Sequence, residues 1–384
     1  MILGHIIELA PNNKQATYFK KACGVARFAY NWALNEWQTQ YEADKKYRND
    51  CLKNGIQVDN SKLKNPSQFK LRKQLNSIKK QAFPFMSEVT KCSPQEAIIQ
   101  LGKAFDNFFK GRAKYPQFRT KGVNDRFSLT NDQFKIIGKK IKIPNLGFVK
   151  LTENLRFMGK LMNATVFKKG GKWFVSVGVE INNLPKLNTK THKSVGIDLG
   201  VTDLAVLSNG EKVKAPKPLK SKLKKLQRLS KSLSRKQKGS NNREKAKTKL
   251  SRLHHKISCV RKDFLHKLTS KLVKQFDVIC IENLNVKGMV KNRKLSLAIS
   301  DLGFYEFKRQ LIYKANIHNK TVKEVGRFYP SSKTCSCCGF VVTKENLTLA
   351  TRHWTCPNCK ANHDRDVNAS LNILKQADKV LTLS

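Results

Sequence analysis

Two Cys-x-x-Cys pairs, Cys335/Cys338 and Cys356/Cys359, stand with seventeen residues between them. That spacing leaves the segment few ways to fold. Each pair turns the chain so that two thiolates face one ion, and two such knuckles complete a tetrahedron around Zn²⁺. Four protein ligands leave no open position, so the pattern reads as a structural zinc ribbon holding one ion. Gly339 follows the first knuckle, where a tight turn favours positive φ. Cys337 is the spare thiol, and Cys23, Cys51, Cys92, Cys259 and Cys280 are scattered. A disulfide framework belongs to small secreted chains, not to one of 384 residues.

Charge narrows the partner. The chain has 76 Lys and Arg against 27 Asp and Glu, a formal net charge of +49. With 40% hydrophobic residues it is globular rather than disordered. It has no apolar run of the roughly 18 residues a membrane helix needs, and its first residues do not read as a secretory signal. Such a charge calls for a polyanion, and nucleic acid is the expected partner.

The apolar period changes along the chain. Residues 2–9 read as a strand ended by Pro11. Phe19, Cys23, Ala26, Tyr30, Leu34 and Trp37 then recur at helical steps, and after Pro94 so do Ile98, Leu101, Phe105, Phe108 and Phe109. From Arg126 to Ile181 the period is two, with Gly170-Gly171 marking a hairpin. A linker comes next at 182–193, and then SVGIDLG and DVICIENLN read as buried strands. Between them the segment 212–262 carries 20 Lys and Arg and one acid, Glu244. Two leucine-rich stripes, Leu219 to Leu233 and Leu250 to Leu272, predict a helical hairpin with basic outer faces. Lys222, Lys224, Lys225 and Arg228 lie on its first helix as contacts for a phosphate backbone. A further helix is expected over 296–318, a strand over 321–326 and a last helix near Asp364–Asp366.

In a chain so poor in acids, a carboxylate in an apolar strand needs a reason. Asp198 and Glu282 each close such a strand, and Asp366 opens the last helix. An isolated buried charge is costly. Three carboxylates meeting at two strand ends and a helix would share two Mg²⁺ ions, whose oxygen preference and retained waters suit phosphodiester chemistry. The plainer readings are an Asx turn at Asp198, a surface Glu282 and an N-cap at Asp366. The motif HDRD also offers Asp364, whose natural role is that cap.

GIDLGVTDLAV, VICIENLNVKGM, AISDLGFYEFK, YPSSKTCSCCG and WTCPNCKANHDRDVNASLNIL together resemble the TnpB family. These are RNA-guided nucleases of bacterial insertion sequences, regarded as ancestral to the type V CRISPR effectors. The resemblance is close over about 190–375; ARFAYN and IPNLGFVK extend it in plan to the first half. It implies a multidomain α+β chain. Residues 1–10 would be the first strand of a wedge barrel, 11–122 a helical recognition domain and 123–185 the rest of the small antiparallel β wedge or barrel. Residues 186–333 would be an RNase-H-like (RuvC) α/β nuclease domain with the hairpin 212–262 inserted, 334–360 the zinc ribbon and 361–384 the last nuclease helix.

The resemblance also implies a guide RNA from the transposon end, double-stranded target DNA beside a short adjacent motif, and catalysis by Asp198, Glu282 and Asp366 with magnesium. Base pairing then reads the target and the protein reads only the flank. EVTKCSPQ points to Lys91 and Gln95 as flank readers, and LTND to Thr130 and Asn131. The chain is expected to act as a monomer on its RNA, without membrane, in a prokaryotic cytoplasm near the nucleoid. The alternatives are a nuclease-inactive, RNA-guided DNA-binding repressor of the same family and a DNA-binding protein accessory to a transposase.

Overall fold

The structure, a computed structural model, describes residues 1–182, 193–343 and 351–376 and the backbone of 382–383. Most of the linker read at 182–193 lies outside the described residues. The chain divides into two compact units, Met1–Asn183 and Leu184–Ser384. No helix among the described residues is long and apolar enough to cross a membrane.

The first unit joins helices to an antiparallel sheet. Strand β1 (Ile2–Ala10) leads into α1 (Asn13–Lys53), a helix of 41 residues, about 60 Å long at 1.5 Å per residue. Asn12 and Gln15 close its start with a reciprocal capping box, Asn12 Oδ1 accepting the Gln15 N–H at 2.8 Å. Helices α2 (Gln68–Ala82) and α3 (Cys92–Phe109) come after it. Pro94 sits in the first turn of α3, where a missing N–H costs nothing. The α1 stripe is buried from Phe19 to Leu34, and the half-buried Trp37 stacks on Phe105 with ring centroids 4.1 Å apart. Ile98, Leu101 and Phe105 are core, but Phe109 is 70% exposed: the helix outruns its neighbours in its last turn.

Strands β2 (Arg126–Thr130), β3 (Lys135–Ile137), β4 (Lys140–Ile143), β5 (Gly147–Leu151), β6 (Lys160–Lys169) and β7 (Lys172–Glu180) complete the sheet. Its order is β2-β6-β7-β1-β5-β4-β3. The first strand of the chain is therefore central, Ile2 pairing with Glu180 and Leu9 with both Trp173 and Leu151. The β6–β7 hairpin turns on Gly170 and Gly171, at φ 57° and 80°, the left-handed pair that a two-residue turn needs to match strand twist.

The second unit is built on a mixed sheet. β8 (Ser194–Asp198), β9 (Ala205–Leu207) and β10 (Lys212–Val213) precede the helices α4 (Pro218–Ser234) and α5 (Asn241–Gln275). Then come β11 (Val278–Glu282), α6 (Val286–Met289), α7 (Ser296–Leu302), α8 (Phe304–Ile317) and β12 (Thr321–Val325). The short strands β13 (His353–Thr355) and β14 (Asn362–Asp364) pair with each other, and α9 (Arg365–Gln376) and β15 (Thr382–Leu383) close the unit. The sheet order is β10-β9-β8-β11-β12-β15, with β8, β11 and β12 parallel. A parallel strand needs burial on both faces, which explains the nearly continuous apolar runs of β8 and β11.

The hairpin read at 212–262 differs in extent. Helix α5 runs on to Gln275, and its Leu265, Leu268, Leu272 and Val273 join the sheet core with Val195, Ile197, Ile279 and Ile281. Near its start Arg243 donates to the carbonyls of Leu233 and Lys236 at the end of α4, and further on Thr269 and His266 meet Gln310 and Lys314 of α8. The buried face turns accordingly, leaving Val260 40% exposed while Leu265 is fully buried. One half of the helix is thus a basic arm and the other the crossover into β11. The helix read over 296–318 is two, broken at Gly303. Asp301, 2% exposed, accepts the N–H groups of Leu219 and Lys220 at 2.9 Å each and pairs with Arg261 at 3.2 Å. It caps α4 and pins it to α5 at once.

Helix α9 lies directly on β8. A Cβ built at Gly196 would meet the Ser370 carbonyl oxygen at 2.0 Å and the Leu374 nitrogen at 2.7 Å. Only glycine permits that approach. Gly196→Ala must lift α9 off the sheet, and we expect a loss of about 1–3 kcal/mol, read as a lower Tm in thermal denaturation. An unchanged Tm would contradict this packing.

Candidate active site and metal centre

The parallel register sets Ile197 opposite Ile281, so the next residues, Asp198 and Glu282, leave their strands side by side. Asp366 arrives from above. It lies one turn before Ser370, the residue seated on Gly196, and Asp198 lies two residues beyond Gly196 on the same strand face. Burial pushes Asp198 up to about 8, helped by the negative charges of Glu282 and Asp366 and opposed by Arg365 and the Leu199 N–H. Glu282 is also raised by burial, against the Ser331 hydroxyl, which donates to it at 2.7 Å. Asp198 therefore feels both other carboxylates, although the oxygens of the three do not all lie within 4.8 Å. Asp366 pairs with Arg352 at 3.6 Å.

Asp364 takes the cap. Its Oδ1 accepts the N–H groups of Asp366 at 3.2 Å and Val367 at 3.1 Å, and Lys212 pairs with it at 2.6 Å. Burial would raise its pKa, but Lys212 and the cap N–H groups outweigh that and hold it below the usual range. The cap leaves the Asp366 side chain free of that duty. Three carboxylates with burial and mutual repulsion acting on Asp198 are the donor set that hard divalent cations take.

The four ribbon sulfurs are gathered. Cys335 and Cys359 lie 3.6 Å apart, as do Cys338 and Cys356, and all four fall within 4.8 Å of one another. Bonds of 2.3 Å around a tetrahedral Zn²⁺ would set sulfurs about 3.8 Å apart, so the set fits a structural zinc. The knuckles are built alike. Gly339 donates to the Cys335 carbonyl and Lys360 to that of Cys356, each at 2.9 Å, and both have positive φ, 77° and 60°. Sequence reasoning missed His363, whose Nε2 is 3.0 Å from Cys335 Sγ. His363, Cys335 and the exposed Cys337 form a second close group. The signal available was the histidine of HDRD, one residue from the cap.

The ribbon is tied to the helix that carries Asp366. Asn368 accepts the Ser336 N–H at 2.8 Å and donates to the Thr334 carbonyl at 2.7 Å. Asn372 donates to the carbonyls of Ser331 at 2.8 Å and Thr334 at 2.6 Å. Both asparagines are buried, and such fully paired polar networks hold a unique arrangement.

The residues expected to read the flank lie on two segments that touch, the start of α3 and the end of β2. Lys91, just before α3, is exposed; Gln95 is half-buried in its first turn. Cys92 Sγ touches Thr130 Oγ1 at 3.3 Å, joining that turn to the end of β2, and Asn131 is exposed beside it. Thr130 donates to Asp132, whose carboxyl is held low by that bond first and by Lys91 among others. A cavity of about 520 Å³ opens here between Lys79, Lys91, Met86, Gln133 and Asn145. On α4, Lys222, Lys224, Lys225 and Arg228 are all exposed and its leucines half-buried, as a narrow seam requires.

Three segments match known families: 165–293 the OrfB_IS605 family, described as "Probable transposase", 304–373 the "Cas12f1-like, TNB domain" and 1–46 a "Helix-turn-helix domain". Over residues 1–46 the structure has one strand followed by one unbroken helix. A protein of Streptomyces pristinaespiralis is 34% identical over 373 residues, covering 95% of this chain and 86% of its own. One from Escherichia coli K12 is 31% identical over 393 residues, covering 97% and 92%. Both carry the name "Putative RNA-guided DNA endonuclease", the second with the suffix InsQ. In fold the chain resembles the solved "Cas12f1-sgRNA-target DNA complex" protein, with TM-score 0.58, 14% identity and coverage of 96% and 84%.

The asparagine ties give the ribbon a measurable consequence. Cys356→Ser should release about one zinc per chain, because ribbon folding depends on its metal, and should loosen α9 with it. Metal content by atomic emission and hydrogen exchange over 365–376 would show both. Cys337→Ser should keep the zinc; its loss would move the site to the Cys335, Cys337 and His363 group.

Proposed function

The chain belongs to the TnpB family, and from that premise we propose that it is an RNA-guided DNA endonuclease of RuvC type whose Asp198, Glu282 and Asp366 hold two magnesium ions. The observation that carries this reading is Asp198. In a protein of net charge +49, a carboxyl pushed up to about 8 by burial and by two further carboxylates is a site made for a cation. Magnesium bound there supplies an activated water and stabilises the leaving oxygen of a phosphodiester.

The chain's own residues prepare that chemistry. Ser331 orients Glu282 by its hydrogen bond, and Asp364 fixes the first turn of α9 so that Asp366 projects from a set position. Asp366 lies in the first turn of α9, where the helix presents its positive end. Lys222, Lys224, Lys225 and Arg228 would meet the phosphates of the guide RNA. Lys91, Gln95, Thr130 and Asn131 would read base edges in the DNA flank. The double-stranded target would be sampled there before the guide pairs with one strand. The zinc ribbon does no chemistry; it steadies the helix that brings Asp366. A binding-only repressor would have no use for three intact carboxylates.

Each of Asp198→Ala, Glu282→Ala and Asp366→Ala should abolish linearisation of a target plasmid with guide RNA and Mg²⁺ while guide and target binding persist. Asp364→Ala should still cut measurably but lose about 0.5–2 kcal/mol of stability with its cap. Cutting by Asp366→Ala together with a dead Asp364→Ala would reverse the assignment.

The same carboxyl sets a pH dependence. Asp198 titrates near 8 in the folded chain and near 3.9 when unfolded. Between those values the native state holds a proton that the unfolded state has lost, so stability falls as pH rises from about 4 to about 8. In the absence of divalent cation, Asp198→Asn should flatten that decline and add roughly 0.5–2 kcal/mol of stability at the upper end, read as a higher Tm there. A steeper decline in the variant would refute this.

A further inference from the structure

Phe328 is 92% exposed. A single apolar side chain in solvent is ordinary, but the backbone that holds this one is not loose. Tyr329 donates its N–H to the Gly326 carbonyl at 3.1 Å, closing a turn with Arg327 and Phe328 at its two central positions. On one side Val325 pairs in register with Glu282, and Asn283 donates to the Val325 carbonyl at 3.3 Å. On the other, Tyr329 packs against Cys280, Val325 and Ile373. Ser331 donates its N–H to the Tyr329 carbonyl at 2.8 Å, its hydroxyl to Glu282 at 2.7 Å, and receives Asn372 on its carbonyl at 2.8 Å. A turn anchored at both ends thus presents an exposed guanidinium and an exposed aromatic ring, three residues from the hydroxyl that orients a site carboxylate.

We propose that Arg327 and Phe328 bind one unpaired nucleotide of the substrate DNA strand beside the carboxylate site, the Phe328 ring stacking on the base and Arg327 pairing with its phosphate. This rests on the nuclease reading above. A ring can stack on a base only when that base has left its duplex, so the occupant is single-stranded. Aromatic stacking accepts any base, which suits an enzyme whose sequence choice is made elsewhere. The arginine fork adds a charge-assisted grip on phosphate. Because the turn is fastened to Glu282 through Val325 and Ser331, the stacked base sets which phosphodiester is presented. Phe328 is a positioning residue and takes no part in bond breaking.

The test compares wild type, Phe328→Ala and Phe328→Trp as full-length proteins loaded with guide RNA. Phe328→Ala should slow single-turnover cleavage about tenfold, the scale of one lost stacking contact, and spread the cut positions. Phe328→Trp should restore both, and guide affinity and zinc content should not change. In parallel, a short single-stranded DNA carrying 2-aminopurine should have its fluorescence quenched by wild type and by Phe328→Trp and not by Phe328→Ala. Equal rates and cut positions in wild type and Phe328→Ala, or equal quenching, would overturn the proposal. A wild type that quenches through Phe328 but never cuts would instead sink the nuclease reading and leave the stacking contact standing.

Discussion

Backbone against backbone is the closest approach two elements can make, and in this chain it happens where it matters most, at Gly196 under α9. The strand gives up a side chain so that a helix can rest on it. That contact imposes a fixed offset: two residues along the strand lies Asp198, one turn up the helix lies Asp366. The parallel neighbour then brings Glu282 level with Asp198. No carboxylate of the three is placed by a flexible loop; two come from strand ends and one from a helix start. Rigid elements hold side chains more closely than loops do.

The acids of this chain are few, and outside the carboxylate site several have a structural task. Asp301 caps one helix and clamps another, and Asp364 caps α9 and holds Lys212. Asp44, also buried, accepts the N–H groups of Lys64 and Asn65 at 2.7 Å each. The basic residues are distributed otherwise. On α4 they point outward from a seam of half-buried leucines. A helix so charged gains little from its neighbours and is suited to a polyanionic partner.

Much of this could be read from the residues in order. Cysteine spacing reports its own geometry, since thiolates at that interval have few other uses, and a carboxylate after four apolar strand residues marks the place where two chemistries collide. The strands of the first unit announced themselves by their period of two. Other features stayed hidden for definite reasons. The apolar period of α5 is the same whether its partner is another helix or a sheet, so its run to Gln275 and the exposure of Val260 could not be told from the stripe. Asp301 sits in an ordinary helical stretch, and its value comes from Leu219, Lys220 and Arg261, all far away in sequence. His363 needed the fold to bring it to Cys335. Phe328 looks like one more aromatic until its exposure is known.

The central place of β1 bears on how the protein is made. Ile2 has no partner on one side until Glu180 has been synthesised. At ribosomal rates of about 5–20 residues per second, the opening strand waits roughly ten to thirty seconds for β7. The second unit repeats the delay at its other end. Asp198 emerges well before Asp366, with α4 to α8 translated between them. A partly translated product therefore carries the exposed lysines of α4 before it carries a complete set of carboxylates. The order of translation brings out the basic surface ahead of the last member of the carboxylate site.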